Sequence, residues 1–281
     1  MALELLDSLI LPGDPAKPNE DSFGHDAHAA VVLDGATPLG DALMPGSSDA
    51  AWIAQFGARR ILAHLRAGEG ARKALRGALG DAQKSFGALR RMPPQEKWQT
   101  PCASMMLAVP GEEGVEFLWF GDCAALIKQG GAAVTVIGES FDKRAAEAQR
   151  AKTIAKEKNL PPASGLSRPE FIGSLRDTRN RINSGSYWLF SPETKAAAHV
   201  SRRVVKLAPG ALVLLSTDGF LALASDYGLY SPDSLMAAAQ SKGLAALGEE
   251  LRATEAQDPG GEKFARFKKS DDATALLMKL I

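Results

Sequence analysis

Two apolar runs in this chain end in the same dipeptide. AAVVLDG occupies 29–35 and VLLSTDG occupies 213–219, so a valine- and leucine-rich stretch twice runs into Asp-Gly. Such stretches read as buried strands, and buried strands normally exclude aspartate. A turn is the simplest account of one copy, because Gly supplies positive φ and Asp caps its own backbone. Recurrence weakens that account. FGDC at 120–123 places Asp122 in a tight link between two predicted strands, and SDD at 270–272 opens the last predicted strand, ATALLMKL. Near the start, Asn19-Glu20-Asp21 precedes Phe23 and a short first strand. Each acid lies at the end of a predicted core strand, so a fold that gathers strand ends also gathers carboxylates.

The remaining elements frame those strands. Residues 48–67 carry Trp52, Ile53, Phe56, Ile61, Leu62 and Leu65 at helical spacing, with Ser47, Ser48 or Asp49 as the cap. After a break at 68–70, Leu75, Leu79, Ala82, Phe86 and Leu89 mark one face of a second helix, and the short link predicts an antiparallel pair. The period then changes to short strands at 104–109, 115–120, 124–128 and 133–137, joined by hairpins. A charged helix is predicted over 141–158, strands at 187–190, 204–207, 211–216 and 273–280, and helical turns near 234–240 and 244–253. With no internal repeat and no composition shift to mark a boundary, the reading is a single α+β domain with antiparallel sheets inside and helices outside.

Composition removes several functions. At 281 residues, 45% hydrophobic and 23% charged, the chain is long enough for a substantial core. Its 33 basic residues balance 33 acidic ones, which gives no global reason to bind nucleic acid or a membrane surface. Cys102 and Cys123 form neither a disulfide framework nor a Cys/His metal cluster. No run approaches the roughly 20 apolar residues of a membrane span, and the first residues lack a signal-peptide pattern, so a cytoplasmic location is expected.

Converging carboxylates repel one another unless a cation neutralises them. Oxygen-only ligands select hard cations, Mg²⁺ or Mn²⁺. Two such ions about 3.5–4 Å apart can activate a water and clamp the oxygens of an in-line displacement at phosphorus. Phosphate ester hydrolysis is the chemistry that follows.

Asn19-Glu20-Asp21, VVLDG at 31–35, FGDC at 120–123, LLSTDG at 214–219 and SDDATALL at 270–277 stand in the order used by metal-dependent serine/threonine protein phosphatases of the type 2C (PPM) family. The helix pair and strand meander between them are similar too, so the resemblance spans the chain. It implies a four-layer α-β-β-α sandwich, with two central antiparallel sheets flanked by helix pairs, and a metal cleft at one edge. It implies that Asp34 bridges two metals, that Gly35 offers a carbonyl, and that Asp218 and Asp271 complete the first metal's shell. Glu20 and Asp21 would stand beside the second metal, and Asp122 could recruit a third ion with Asp218. The implied activity is hydrolysis of phosphoserine or phosphothreonine in protein substrates by a metal-bridging hydroxide, with two Mn²⁺ or Mg²⁺ ions and room for a third.

Three departures stand out. The family commonly places an arginine before the acidic pair; here the cation available is Lys17, which supplies charge without a bidentate fork. The histidine that often follows the DG is replaced by Ala36-Thr37, and His25 and His28 are loop residues read as solvated. Ala124 and Ala125 stand where an arginine often follows the GDS-like turn. These leave open a catalytically weak or inactive fold that binds phosphorylated partners, or a phosphatase for small molecules. The segment 138–183, where the family carries a variable flap, holds ten Lys or Arg against six Asp or Glu. Its Arg168, Arg176, Arg179 and Arg181 are candidates for a basic lip that steers phosphate.

Overall fold

A computed structural model of the chain describes residues 1–139, 169–266 and 268–281, together with positions 141, 149, 153 and 156. Two five-stranded antiparallel sheets lie face to face. The first runs in the order β2 (Asp21–Asp26), β3 (Ala29–Gly35), β4 (Ala103–Gly111), β5 (Gly114–Phe120) and β8 (Ser201–Val205). The second runs β1 (Leu3–Leu11), β10 (Ala273–Leu280), β9 (Leu212–Ser216), β6 (Ala124–Lys128) and β7 (Thr135–Ile137).

Side-chain alternation along each strand builds the layers. On β3, Ala30 and Val32 face the other sheet, where they meet Leu215, Leu276 and Met278 in the inter-sheet core. Val31 and Leu33 face outward, onto α1 (Asp49–Arg66) and α2 (Ala71–Leu89). The opposite sheet turns Ala273, Ala275 and Leu277 outward against α4 (Asp218–Ser225), α5 (Pro232–Lys242) and α6 (Leu244–Gln257), which follow α3 (Pro169–Arg179) in the chain. The result is the expected α-β-β-α sandwich, with three helices rather than two on the second outer face among the described residues. Phe117, fully buried between the sheets, is one of the largest core anchors, and a side chain of that size contributes about 1.5–3 kcal/mol on burial.

Local chemistry explains the helix ends. Ser48 caps α1 by accepting from the Ala51 amide at 3.3 Å, and Ser231 caps α5, where Pro232 occupies the first helical turn. Several elements differ from the sequence reading, among them α3 at Pro169–Arg179, where no helix is predicted. The chain begins with an edge strand, β1, that the reading passed over. The predicted strand at 187–190 pairs only through isolated bridges, Ala103 with Phe190 and Ser184 with Tyr187. Asp218-Gly219 opens a buried helix instead of a turn. Of the predicted helix at 141–158, only positions 141, 149, 153 and 156 fall within the described residues.

Candidate metal centre

At one end of the sandwich the inward-facing positions change from apolar to polar. Asp34 continues the Ala30, Val32 face of β3, its partner across β2 is Asp21, and its partner across β4 is Ser104. From the second sheet, Thr274 on β10 and Thr217 at the end of β9 arrive beside them, and Thr217 Oγ1 donates to Asp21 Oδ2 at 2.8 Å. Pleating therefore decides which side chains meet here. Each faces the same layer as the core residues two positions along its strand.

Asp34, Asp122 and Asp218 each offer a carboxylate oxygen within 4.8 Å of the others, with Asp218 buried and the other two partly open. The Asp122 carboxylate is aimed by Ser104, whose hydroxyl donates to Oδ1 at 2.6 Å. Gly121 turns the chain into that position with φ of 72°, a conformation L side chains rarely adopt. Burial, then the charges of Asp218, Asp21, Asp271 and Asp122, push the Asp34 carboxyl well above the usual carboxylate range. Asp21, 2% exposed, is pushed up by burial and by Asp271 and Asp272, against the Thr217 hydrogen bond. Its Oδ1 is buried and has no hydrogen-bond partner. An orphaned buried carboxylate oxygen beside three converging acids is what a hard-cation site presents, so these residues fit a divalent ion.

The other sequence candidates lie around this cluster. Glu20 accepts from Thr37 Oγ1 and Ser48 Oγ, each at 2.6 Å, and its backbone oxygen accepts from the Gly35 amide at 3.0 Å. Asp271 Oδ1 lies 2.7 Å from the Lys268 ammonium. Lys17 has a side chain that is 76% exposed, with its ammonium 3.7 Å from Asp14 Oδ2. His25 pairs with Ala30 on β2 and β3, four positions along from the Asp21–Asp34 pair.

Both DG glycines have a steric origin. Neither Gly35 nor Gly219 has positive φ among the described glycines that do. A Cβ on Gly35 would overlap the Ala50 carbonyl oxygen and lie 2.7 Å from the Glu20 oxygen, because the strand end is pressed between α1 and the acidic pair. On Gly219 it would overlap the Asp272 oxygen.

Sequence reasoning passed over several residues. Asp272 accepts from the Gly13 amide at 2.7 Å and the Glu20 amide at 2.6 Å, stitching the first acidic pair to the last strand. Thr217 and Thr274 sat inside the quoted motifs and were legible as neighbours of the acids, and Lys268 stands three positions before Asp271. Of the proposed basic lip, Arg168 lies outside the described residues. Arg176 donates to Leu39 O at 2.7 Å and stacks 4.0 Å over Trp98, and Arg179 donates to Thr37 O at 2.6 Å. Those two guanidinium groups hold the loop after Gly35 in place.

The fold is that of PPM serine/threonine phosphatases. The serine/threonine phosphatase PstP/Ppp of Mycobacterium tuberculosis matches 100% of this chain and 99% of its own, with a TM-score of 0.58 at 15% identity. The catalytic domain of PstP in complex with 2 manganese ions matches the same shares, 100% and 99%, with a TM-score of 0.55 at 14% identity. PppA of Pseudomonas aeruginosa, described as a key regulatory component of T6SS, matches 100% of this chain and 99% of its own, with a TM-score of 0.52 at 15% identity. No family model matches the chain, and no curated protein matches it in sequence.

Proposed function

We propose that this chain is a metal-dependent phosphatase acting on phosphoserine and phosphothreonine in proteins. The observation that carries the reading is the convergence of Asp34, Asp122 and Asp218 within 4.8 Å, at the edge of a fold shared with serine/threonine phosphatases. Asp34, Asp218 and Asp271, with the Gly35 carbonyl, would hold Mn²⁺ or Mg²⁺; Asp21 and Glu20 would support a second ion, and Asp122 a third. When bound, such ions neutralise the acids, activate water and stabilise charge on the transferring phosphoryl group. The chain's own part is positioning. Thr217 fixes Asp21, Ser104 fixes Asp122, and Asp272 ties the Glu20 backbone to the last strand. The whole chain acts as one catalytic domain, with 138–183 as a flap-like insertion.

Both cysteines are buried and free, and a cytoplasmic signalling role is the setting we propose. Among the described residues, no helix is long and apolar enough to cross a membrane. Burial raises the Cys102 thiol, and burial together with the neighbouring acids raises Cys123 well above the usual thiol range. Neither is a nucleophile at neutral pH. Phosphate release from an aryl phosphate and from a phosphothreonine peptide is therefore expected to vanish on chelation, to return with Mn²⁺, and to survive in the Cys102→Ser, Cys123→Ser double variant. Activity that persists after exhaustive chelation would refute the reading.

Lys17 is the proposed phosphate contact, reached by a rotation of its exposed side chain away from Asp14. Lys17→Ala is expected to raise KM for the phosphopeptide several-fold and leave Mn²⁺ affinity unchanged. Identical KM in steady-state kinetics would remove Lys17 from the site.

A further inference from the structure

Lys268 has no part in the reaction described above, yet its ammonium stands inside the acidic cleft. It lies 2.7 Å from Asp271 Oδ1, with its side chain 31% exposed, and Asp34 and Glu20 also act on its charge. The contact is anchored on both sides of the pair. Arg266, 6% exposed, donates to Lys269 O at 3.0 Å and to Asp258 Oδ2 at 2.8 Å, which fixes the loop immediately after Lys268. Arg252 donates to Asp271 O at 2.7 Å, which fixes the acid. A long lysine held between two such points meets its carboxylate at little further entropic cost, unlike a freely exposed pair.

We infer that Lys268 is an internal counter-ion of the candidate metal centre, paired with Asp271 when no divalent cation is bound and displaced from it when one binds. The inference rests on the metal reading proposed above and concerns the regulation of that same site. An ammonium among repelling carboxylates supports the metal-free fold. A divalent ion that takes Asp271 competes with this contact for the same carboxylate and then remains near a positive charge, so the same lysine opposes metal loading. Two cations competing for one carboxylate shift each other's apparent affinity by mass action. The site then fills only when the divalent ion is abundant enough to win that competition.

Calorimetric Mn²⁺ titration of the full chain tests this, beside melting curves of chelator-treated protein. Lys268→Met and Lys268→Gln are expected to bind Mn²⁺ about tenfold more tightly than wild type and to melt at a lower temperature without metal. Lys268→Arg keeps the charge and should stay within about twofold of the wild-type affinity, as should Lys269→Met in the same loop. Unchanged or weaker affinity in both neutral variants overturns the inference, and so does an equal gain in Lys269→Met. A wild-type protein that takes up no Mn²⁺ at all would instead overturn the metal reading beneath it.

Discussion

Asp34→Asn is expected to lose Mn²⁺ affinity and phosphate release by more than about a hundredfold, while its metal-free form melts no lower than wild type, and higher at alkaline pH. The functional loss exceeds the 10- to 100-fold typical of outer-shell partners, because Asp34 stands at the centre of the cluster. The stability effect has the opposite sign because of the surroundings. Burial and the charges of Asp218, Asp21, Asp271 and Asp122 raise the Asp34 carboxyl above its unfolded value. A group with a raised folded pKa binds more protons in the fold than in the unfolded chain. Its contribution is therefore fully present at low pH and is lost as pH rises through the folded pKa. Above that point ionised Asp34 burdens the metal-free fold, and asparagine does not. The melting-temperature gain should accordingly be larger at about pH 8 than at about pH 5. An Asp34→Asn protein with wild-type metal affinity, or one that melts well below wild type without metal at both pH values, would show that Asp34 is a structural strand-end residue.

The strands that carry the acids were legible because apolar runs and the change of period both mark them. β1 was not. Its alternation is blurred by Leu6 and Ile10, exposed at 46% and 48% on a strand that, among the described residues, lies at the sheet edge and pairs with β10. The strand predicted at 187–190 fails for a local reason: Asn183, at φ of 54°, takes the Leu189 amide on its side chain at 2.8 Å, and its own amide donates to Tyr187 O at 2.7 Å. Backbone groups committed to that loop are not available for a ladder. The α4 helix is buried from Asp218 to Leu223, so it shows no amphipathic period and reads as a strand running into a turn. For the site, the acids were legible as residue types at strand ends. What was not legible was who holds them. Arg179 and Lys268 look alike in sequence as surface cations, and only the packed fold assigns one to a loop carbonyl and the other to a carboxylate.

Gly219→Ala is expected to destabilise the protein by about 3 kcal/mol or more and to weaken Mn²⁺ binding as well. The added Cβ would overlap the Asp272 carbonyl oxygen, and it would lie 3.0 Å from the carbonyl carbon and 3.4 Å from the Asp271 Cβ. Backbone cannot swing aside as a flexible side chain can. Relief requires α4 to retreat from the segment before β10, and that segment carries Asp271 as well as Asp272, whose side chain holds the Gly13 and Glu20 amides. One methyl group thus disturbs both the fold and the acid cluster. Gly87 supplies the contrast: it lies in α2, and a Cβ there meets nothing within 4 Å. Gly87→Ala should stabilise by about 0.5–1 kcal/mol through the lower entropy of the unfolded chain. Chemical denaturation of the two variants beside wild type separates the effects. Equal and small shifts would mean that the second DG glycine serves only to leave a strand, and that the close approach of α4 to Asp272 does not determine its identity.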